Sequence, residues 1–219
     1  MSGKKIAFTG APGTGKTMYK TQVVSMLSSY NISTVSDDIA KKFSDLFDPK
    51  YVDYFNNSEE LELSTCYQRR SQTLMAGPND YVVSDGWAIN ELAITMVKMN
   101  HLQKKIQTSN SLLAANGKAI MTPEHGDLLI CQAVFQVLMN QVAIEQSFWD
   151  FLYYAPIYDE NNDILNEHSI NPKDRLNQKE IDIAIKTLIQ QLKLNVIELP
   201  VEKKEALEFL GQEKEKWTK

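Results

Sequence analysis

Five short apolar runs recur along the 219-residue chain: Lys5 to Thr9, Ile32 to Ser36, Tyr81 to Ser84, Phe151 to Ala155, and Asn195 to Leu199. Helical or irregular stretches separate them. Strands that alternate with helices predict an α/β protein with a parallel sheet and helices on its faces. The first helical stretch, Met18 to Leu27, puts Val23, Met26 and Leu27 on one side, and a second runs from Ser58 to Leu74. Ala88 to Ile106 gathers Leu92, Met96, Met99, Leu102 and Ile106 on one face, with Asn90, Lys98, Lys104 and Lys105 elsewhere. Further helices are expected over Leu128 to Ile144, Glu180 to Leu192 and Glu202 to Lys219, the last with Ala206, Phe209 and Leu210 inward. Leu128 to Ile144 is the most apolar, but Gln132, Gln136, Asn140 and Gln141 interrupt it, which suits a helix buried among others and not a membrane span.

Three stretches lack a clean pattern. Ile39 to Asp80 opens with Phe43, Leu46, Phe47, Tyr51, Tyr54 and Phe55, an aromatic density that reads as core with a minority lining a substrate pocket. Thr108 to Gly126, with turn signals at Asn116-Gly117 and Thr122-Pro123, reads as a long connection or flap, and His125 in it as a solvated side chain. Pro156 to Asn171 is polar and leads through Pro172-Lys173-Asp174-Arg175 into the next helix, the pattern of a lid.

Ligands on an open parallel sheet bind outside the carboxyl ends of its strands, so the residues that follow each run are where chemistry is expected. After the first run stands Gly10-Ala11-Pro12-Gly13-Thr14-Gly15-Lys16-Thr17, which spells G-x-x-x-x-G-K-[ST], and Met18 continues into the helix. Strand, loop and helix in this order make a phosphate-binding P-loop. Its glycines let backbone N–H groups and a helix N-terminus converge on phosphates. Lys16 is then expected to reach the β- and γ-phosphates and Thr17 to ligate Mg²⁺.

After the second run come Asp37 and Asp38, either of which could orient an acceptor hydroxyl opposite the γ-phosphate, or simply cap a helix. Asp38 has more room to point forward. After the third comes Asp85, placed to hold Mg²⁺ beside Thr17, or to cap the helix that follows Gly86. Trp87 is expected to wall an acceptor pocket, and Arg69 and Arg70 on the preceding helix to meet an anionic or hydrogen-bonding acceptor. After the fourth, Arg175 with Lys173 supplies lid cations for the transferring phosphoryl group.

Composition narrows the partners. A net charge of −5 gives no global attraction to nucleic acid or to anionic membranes, so a nucleic-acid partner is not favoured and no membrane association is expected. Cys66 and Cys131 form no CxxC pair and read as buried thiols of a reducing compartment, and the apolar run after Lys4 and Lys5 is too short for a signal peptide. A cytoplasmic protein is expected. The length suits one domain over residues 1–219, with 39–80 and 88–146 as helical acceptor-side segments and 157–176 as lid; a homodimer is compatible with it.

The succession of the P-loop, the acidic pair after the second strand, Tyr67-Gln68-Arg69-Arg70, Val82-Val83-Ser84-Asp85-Gly86-Trp87 and Trp149-Asp150-Phe151-Leu152-Tyr153-Tyr154-Ala155-Pro156 resembles the nucleoside and nucleotide kinase branch of P-loop proteins. Within it the chain is similar to the group that contains the ribosylnicotinamide kinase domain and related AAA-type P-loop kinases of phage and bacterial genomes. The likeness runs over nearly the whole chain, and the P-loop is its one specific motif. It implies a three-layer P-loop NTPase fold with a five-stranded sheet in the order 2-3-1-4-5. It also implies ATP and Mg²⁺, an arginine-bearing lid, and transfer to a hydroxyl or phosphate of a small nucleoside or nucleotide.

Carried over, Lys16 and Thr17 serve nucleotide and metal, Asp85 is the strand-end aspartate, and Arg175 a lid arginine. The chain departs from that pattern at Gly86-Trp87, where the family commonly has Arg or Thr, and at Asn166-Glu167-His168, where a first lid arginine would fall. Two other readings share the P-loop: a kinase acting on a modified base or end in DNA, and a regulatory or mechanical ATPase. Against a switch or motor, there is no Asn-Lys-x-Asp motif, and the third strand ends in Ser84-Asp85-Gly86 and not in Asp-Glu.

Overall fold

The computed structural model describes residues 3–35, 59–77, 80–114, 122–157 and 172–219. Five strands, β1 (Lys5–Thr9), β2 (Ile32–Val35), β3 (Tyr81–Ser84), β4 (Phe151–Tyr154) and β5 (Ile197–Glu198), make one sheet in the order β2-β3-β1-β4-β5. Every pairing is parallel, with Ile6 of β1 opposite Val83 of β3 on one side and Phe151 of β4 on the other. Parallel neighbours require crossovers, and helices supply them. The helices are α1 (Lys16–Met26), α2 (Glu59–Met75), α3 (Ala88–Ala114), α4 (Pro123–Glu145) and α5 (Pro172–Gln191), which lie between strands, and α6 (Lys203–Trp217), which follows β5.

Alternation along each strand divides the interior in two. Ile6, Phe8, Tyr81, Val83 and Tyr153 face α1 and α6, where they pack with Tyr19, Val23, Leu27, Ala206, Leu210 and Trp217. Ala7, Val82, Leu152 and Tyr154 face the opposite way and pack with Trp87, Leu92, Val97, Leu138 and Ile185 from α3, α4 and α5 and the turn before them. The sheet is therefore buried on both faces, as parallel sheets are. On the first face Trp217 donates its indole N–H to the Tyr153 hydroxyl at 2.9 Å, and the Tyr81 hydroxyl donates to the Trp217 carbonyl at 3.1 Å, so the C-terminal helix is tied to two strands.

Several boundaries differ from the pattern-based expectation. α3 continues eight residues past Ile106, and α4 begins at Pro123, so both ends of the expected connection from Thr108 to Gly126 are helix. Pro123 fits a first helical turn, where its missing N–H has no partner to lose. Thr122 stands before it as N-cap, and the Thr122 N–H donates to His125 Nδ1 at 3.2 Å, so His125 closes a helix end. α5 begins at Pro172, eight residues earlier than Glu180 suggested, which turns the Pro172-Lys173-Asp174-Arg175 end of the expected lid into a first helical turn.

The apolar α4 is less enclosed than its composition implied. It packs along α3 and against α2. Its far side leaves Leu129, Ile130, Val137 and Ile144 exposed, and it is, among the described residues, the one helix long and apolar enough to cross a membrane. Conversely, α3 is wrapped by α4 and α5 and buries Asn90 and Lys98, which the one-sided pattern placed outside the core.

Candidate active site

The loop between β1 and α1 takes its shape from glycine. Gly10, Gly13 and Gly15 have φ of 151°, 82° and 90°, values that side-chain-bearing residues rarely adopt. Gly10 is also a close approach: a Cβ there would lie 2.5 Å from the Ala155 carbonyl and 2.8 Å from Thr14 Oγ1. Within the ring the Thr14 hydroxyl donates to the Ala11 carbonyl at 3.1 Å. Gly15 is the N-cap of α1, so the helix opens onto the loop and its unpaired N–H groups face the same space.

Lys16 lies inside this ring. Its ammonium donates to the Gly10 carbonyl at 2.8 Å and to the Ala11 carbonyl at 2.9 Å. Beside it, the Thr17 hydroxyl donates to Asp85 Oδ2 at 2.9 Å. β3 lies directly against β1 in the sheet, which is why two residues so far apart in sequence meet. The turn that aims Asp85 is closed by Ser84, whose hydroxyl donates to the Gly86 carbonyl at 2.6 Å. Asp85 is buried and carries a second partner, the Lys20 ammonium, at 2.7 Å from the same oxygen.

Further residues brace the loop from behind, and sequence reasoning missed them. Asn90 in the first turn of α3 accepts from the Thr9 hydroxyl at 2.9 Å and donates through Nδ2 to the Gly10 carbonyl at 3.0 Å. Gln178 of α5 donates to the Pro12 carbonyl. One turn later the Tyr154 hydroxyl donates to Asp182 at 2.6 Å, and burial pushes the Asp182 carboxyl above its ordinary value, a shift that this hydrogen bond and the charges of Lys186 and Lys16 moderate. The polarity of Asn90 and Gln178 on otherwise apolar helices was their only visible signal. Lys20 carried a clearer one, since it falls one helical turn after Lys16.

Of the expected acceptor-side residues, Arg69 and Trp87 are buried. Arg69 is 2% exposed and its two terminal nitrogens pair with both oxygens of Glu91, at 2.9 and 3.0 Å. Trp87 is fully buried in the core, with Nε1 lacking a hydrogen-bond partner among the described residues. Helical spacing shows which side of an element a residue occupies but not what packs there, and α3 and α4 pack over this side. Arg70 is half-buried and donates to the Gln141 side chain at 3.1 Å. With Arg69, Thr73, Leu74, Glu145, Phe148 and Trp149 it lines a small cleft between α2 and the end of α4.

Close to this cleft, Glu145 accepts from the Ala88 N–H at 3.1 Å and from the Cys66 thiol at 3.7 Å. Burial raises the Glu145 carboxyl and, more strongly, the Cys66 thiol, so Cys66 is an inert buried sulfhydryl. Asp37 and Asp38 lie outside the described residues, as do 158–171 of the expected lid. Lys173 and Arg175 lie in the first turn of α5, and their side chains lie outside the described residues. Met18 sits at the exposed start of α1.

A Mg²⁺ ion associated with nucleotide phosphates needs only one or two protein oxygens, the rest coming from phosphate and water. A threonine hydroxyl and a buried carboxylate 2.9 Å apart fit that requirement. No cluster of three or more His, Cys, Asp or Glu side chains able to hold a metal by itself occurs among the described residues.

A glycine-shaped P-loop, a lysine in its ring, a strand-end aspartate on the adjacent strand and the sheet order β2-β3-β1-β4-β5 together define the P-loop kinase fold. Solved structures agree. NadR protein in complex with NAD and AMP-PNP is matched over 99% of this chain with a TM-score of 0.59 at 14% identity, and the chain spans 49% of that protein's length. Thymidylate kinase from Ehrlichia chaffeensis is covered in full by the whole chain, with a TM-score of 0.55 at 12% identity. Thymidylate kinase from Candida albicans is matched with a TM-score of 0.62 at 11% identity, over 100% of this chain and 94% of that one. At these identities the likeness is one of fold. No family model and no curated protein matches the sequence.

Proposed function

We propose that this chain is a kinase that moves the γ-phosphoryl group of ATP to a hydroxyl or phosphate of a small nucleoside or nucleotide. The observation that carries the proposal is the meeting of Lys16, Thr17 and Asp85 around one glycine-shaped loop at the carboxyl edge of the sheet. The neighbours support the direction: NadR is solved with AMP-PNP and with NR, and the thymidylate kinases share the fold over nearly their whole length.

Phosphoryl transfer is mostly positioning and charge stabilisation. In this reading the loop amides and Lys16 seat the phosphates, and Thr17 and Asp85 would hold Mg²⁺, which would supply charge neutralisation to the transfer. Asn90 and Gln178 keep the ring from relaxing when charge enters it. Asp38 or Asp37 orients the acceptor, and Arg175 with Lys173 caps the transferring group. Arg70 serves as an acceptor-side cation, while Arg69 pairs with Glu91. The reaction belongs in the cytoplasm, in keeping with two buried cysteines that form no disulfide.

The test is ADP release from ATP and Mg²⁺ against a panel of nucleosides and nucleotides. Release that depends on one acceptor class supports the proposal. Hydrolysis that ignores every acceptor and responds to DNA or protein instead overturns it.

A further inference from the structure

The P-loop helix carries a second lysine at the metal-binding carboxylate. Lys20 follows Lys16 by four residues and Thr17 by three, so all three share one side of α1. Its side chain is 9% exposed and that of Asp85 is 2% exposed, and the two are closed in together at 2.7 Å. The oxygen that Lys20 meets is the one that accepts from Thr17 at 2.9 Å. Lysine is seldom enclosed without a partner, and an ion pair in a poorly screened setting is strong. The carboxylate offered to the metal is therefore already neutralised by a resident cation.

We propose that Lys20 is a built-in counter-cation that competes with Mg²⁺ for Asp85. The inference rests on the nucleotide reading above and adds a property to it: ATP binding by this chain depends only weakly on the divalent ion. Two effects follow from the one contact. A divalent cation approaching Asp85 meets a carboxylate whose charge is partly cancelled and an ammonium that repels it, so more Mg²⁺ is needed. Free ATP, which is strongly anionic, meets an aspartate whose negative charge is masked, so it is repelled less when no metal is present. Lys20 acts through Asp85 and is a positioning residue, not a catalytic one.

Calorimetric binding of ATP, first in EDTA and then over a range of Mg²⁺, tests this without reference to turnover. Wild-type protein is expected to gain less than about tenfold in ATP affinity from saturating Mg²⁺. Lys20→Met should lower the half-saturating Mg²⁺ about tenfold and weaken ATP binding in EDTA by a similar factor, while Lys20→Arg, which keeps the charge, should restore both to within about twofold of wild type. Unchanged metal dependence in a folded Lys20→Met protein makes the pair purely structural and overturns the proposal. Where Lys20→Met does not fold, the wild type decides: a gain well above tenfold on adding Mg²⁺ overturns the proposal, and a gain below about tenfold upholds it. Wild-type protein that binds no ATP in either buffer overturns the nucleotide reading itself, a result distinct from strong metal dependence.

Discussion

Gly10 and Lys16 show how much one residue can decide at this site. Gly10 combines a φ of 151° with a Cβ position 2.5 Å from the Ala155 carbonyl, so both its conformation and its lack of a side chain are used. Gly10→Ala is expected to lower stability by about 1–3 kcal/mol, the range for a residue forced into a sparsely populated backbone region, read from the denaturant midpoint. A midpoint that does not move would mean that the loop relaxes freely. Lys16 is part-buried and donates its ammonium to two loop carbonyls. Lys16→Ala should therefore keep the melting temperature within a few degrees while acceptor-dependent ADP release falls by about 10²-fold or more, the scale for removing a charge-stabilising donor. Full activity in that variant would remove the P-loop from the mechanism.

Among the elements, α2 and α3 are joined by a buried charge pair. Arg69 and Glu91 lie 2.9 Å apart with side chains 2% and 8% exposed, well shielded from solvent. Removing one partner strands the other, so Glu91→Ala is expected to cost about 3–5 kcal/mol in denaturant unfolding. A double replacement by Met at 69 and Leu at 91 should recover most of that loss, because apolar residues of similar volume need no compensation. A single and a double variant of equal stability would show that the pair does not join the helices. Neither burial was legible locally: Arg69 and Arg70 read as equivalent in sequence, and only the packing of α3 and α4 encloses one and leaves the other half-open. The same reasoning applies to α4, where an apolar stretch implied enclosure but the helix packs along α3 and against α2 and leaves its far side exposed.

At the scale of the whole molecule, stability is expected to carry a pH signature from buried carboxyls. Burial raises Glu145 above its ordinary value of 4.5 and Asp182 above 3.8. A carboxyl with a raised folded-state value contributes stability that is fully present below the ordinary value and is lost as pH rises through the folded one. Glu145→Gln keeps an oxygen for the Ala88 N–H and removes this loss, so its melting temperature relative to wild type should climb as pH rises above 4.5. A gap that stays flat over that rise would show that Glu145 ionises as an exposed carboxyl does.

The sequence by itself determined the P-loop, the strand runs and the α/β class. These depend on local properties: glycines with left-handed freedom, short apolar runs such as Ile6-Ala7-Phe8, and helical spacing between runs. The strand order was implied by the family resemblance and not by the pattern, since parallel strands can be joined by crossovers in many orders. Tertiary structure alone decided which strand ends meet. Thr17 and Asp85 are 68 residues apart, Asn90 reaches Gly10 across 80 and Gln178 reaches Pro12 across 166. Such contacts form because burial of the two sheet faces brings β3 against β1 and lays α3 and α5 over the loop, and no local preference of the residues involved specifies that arrangement.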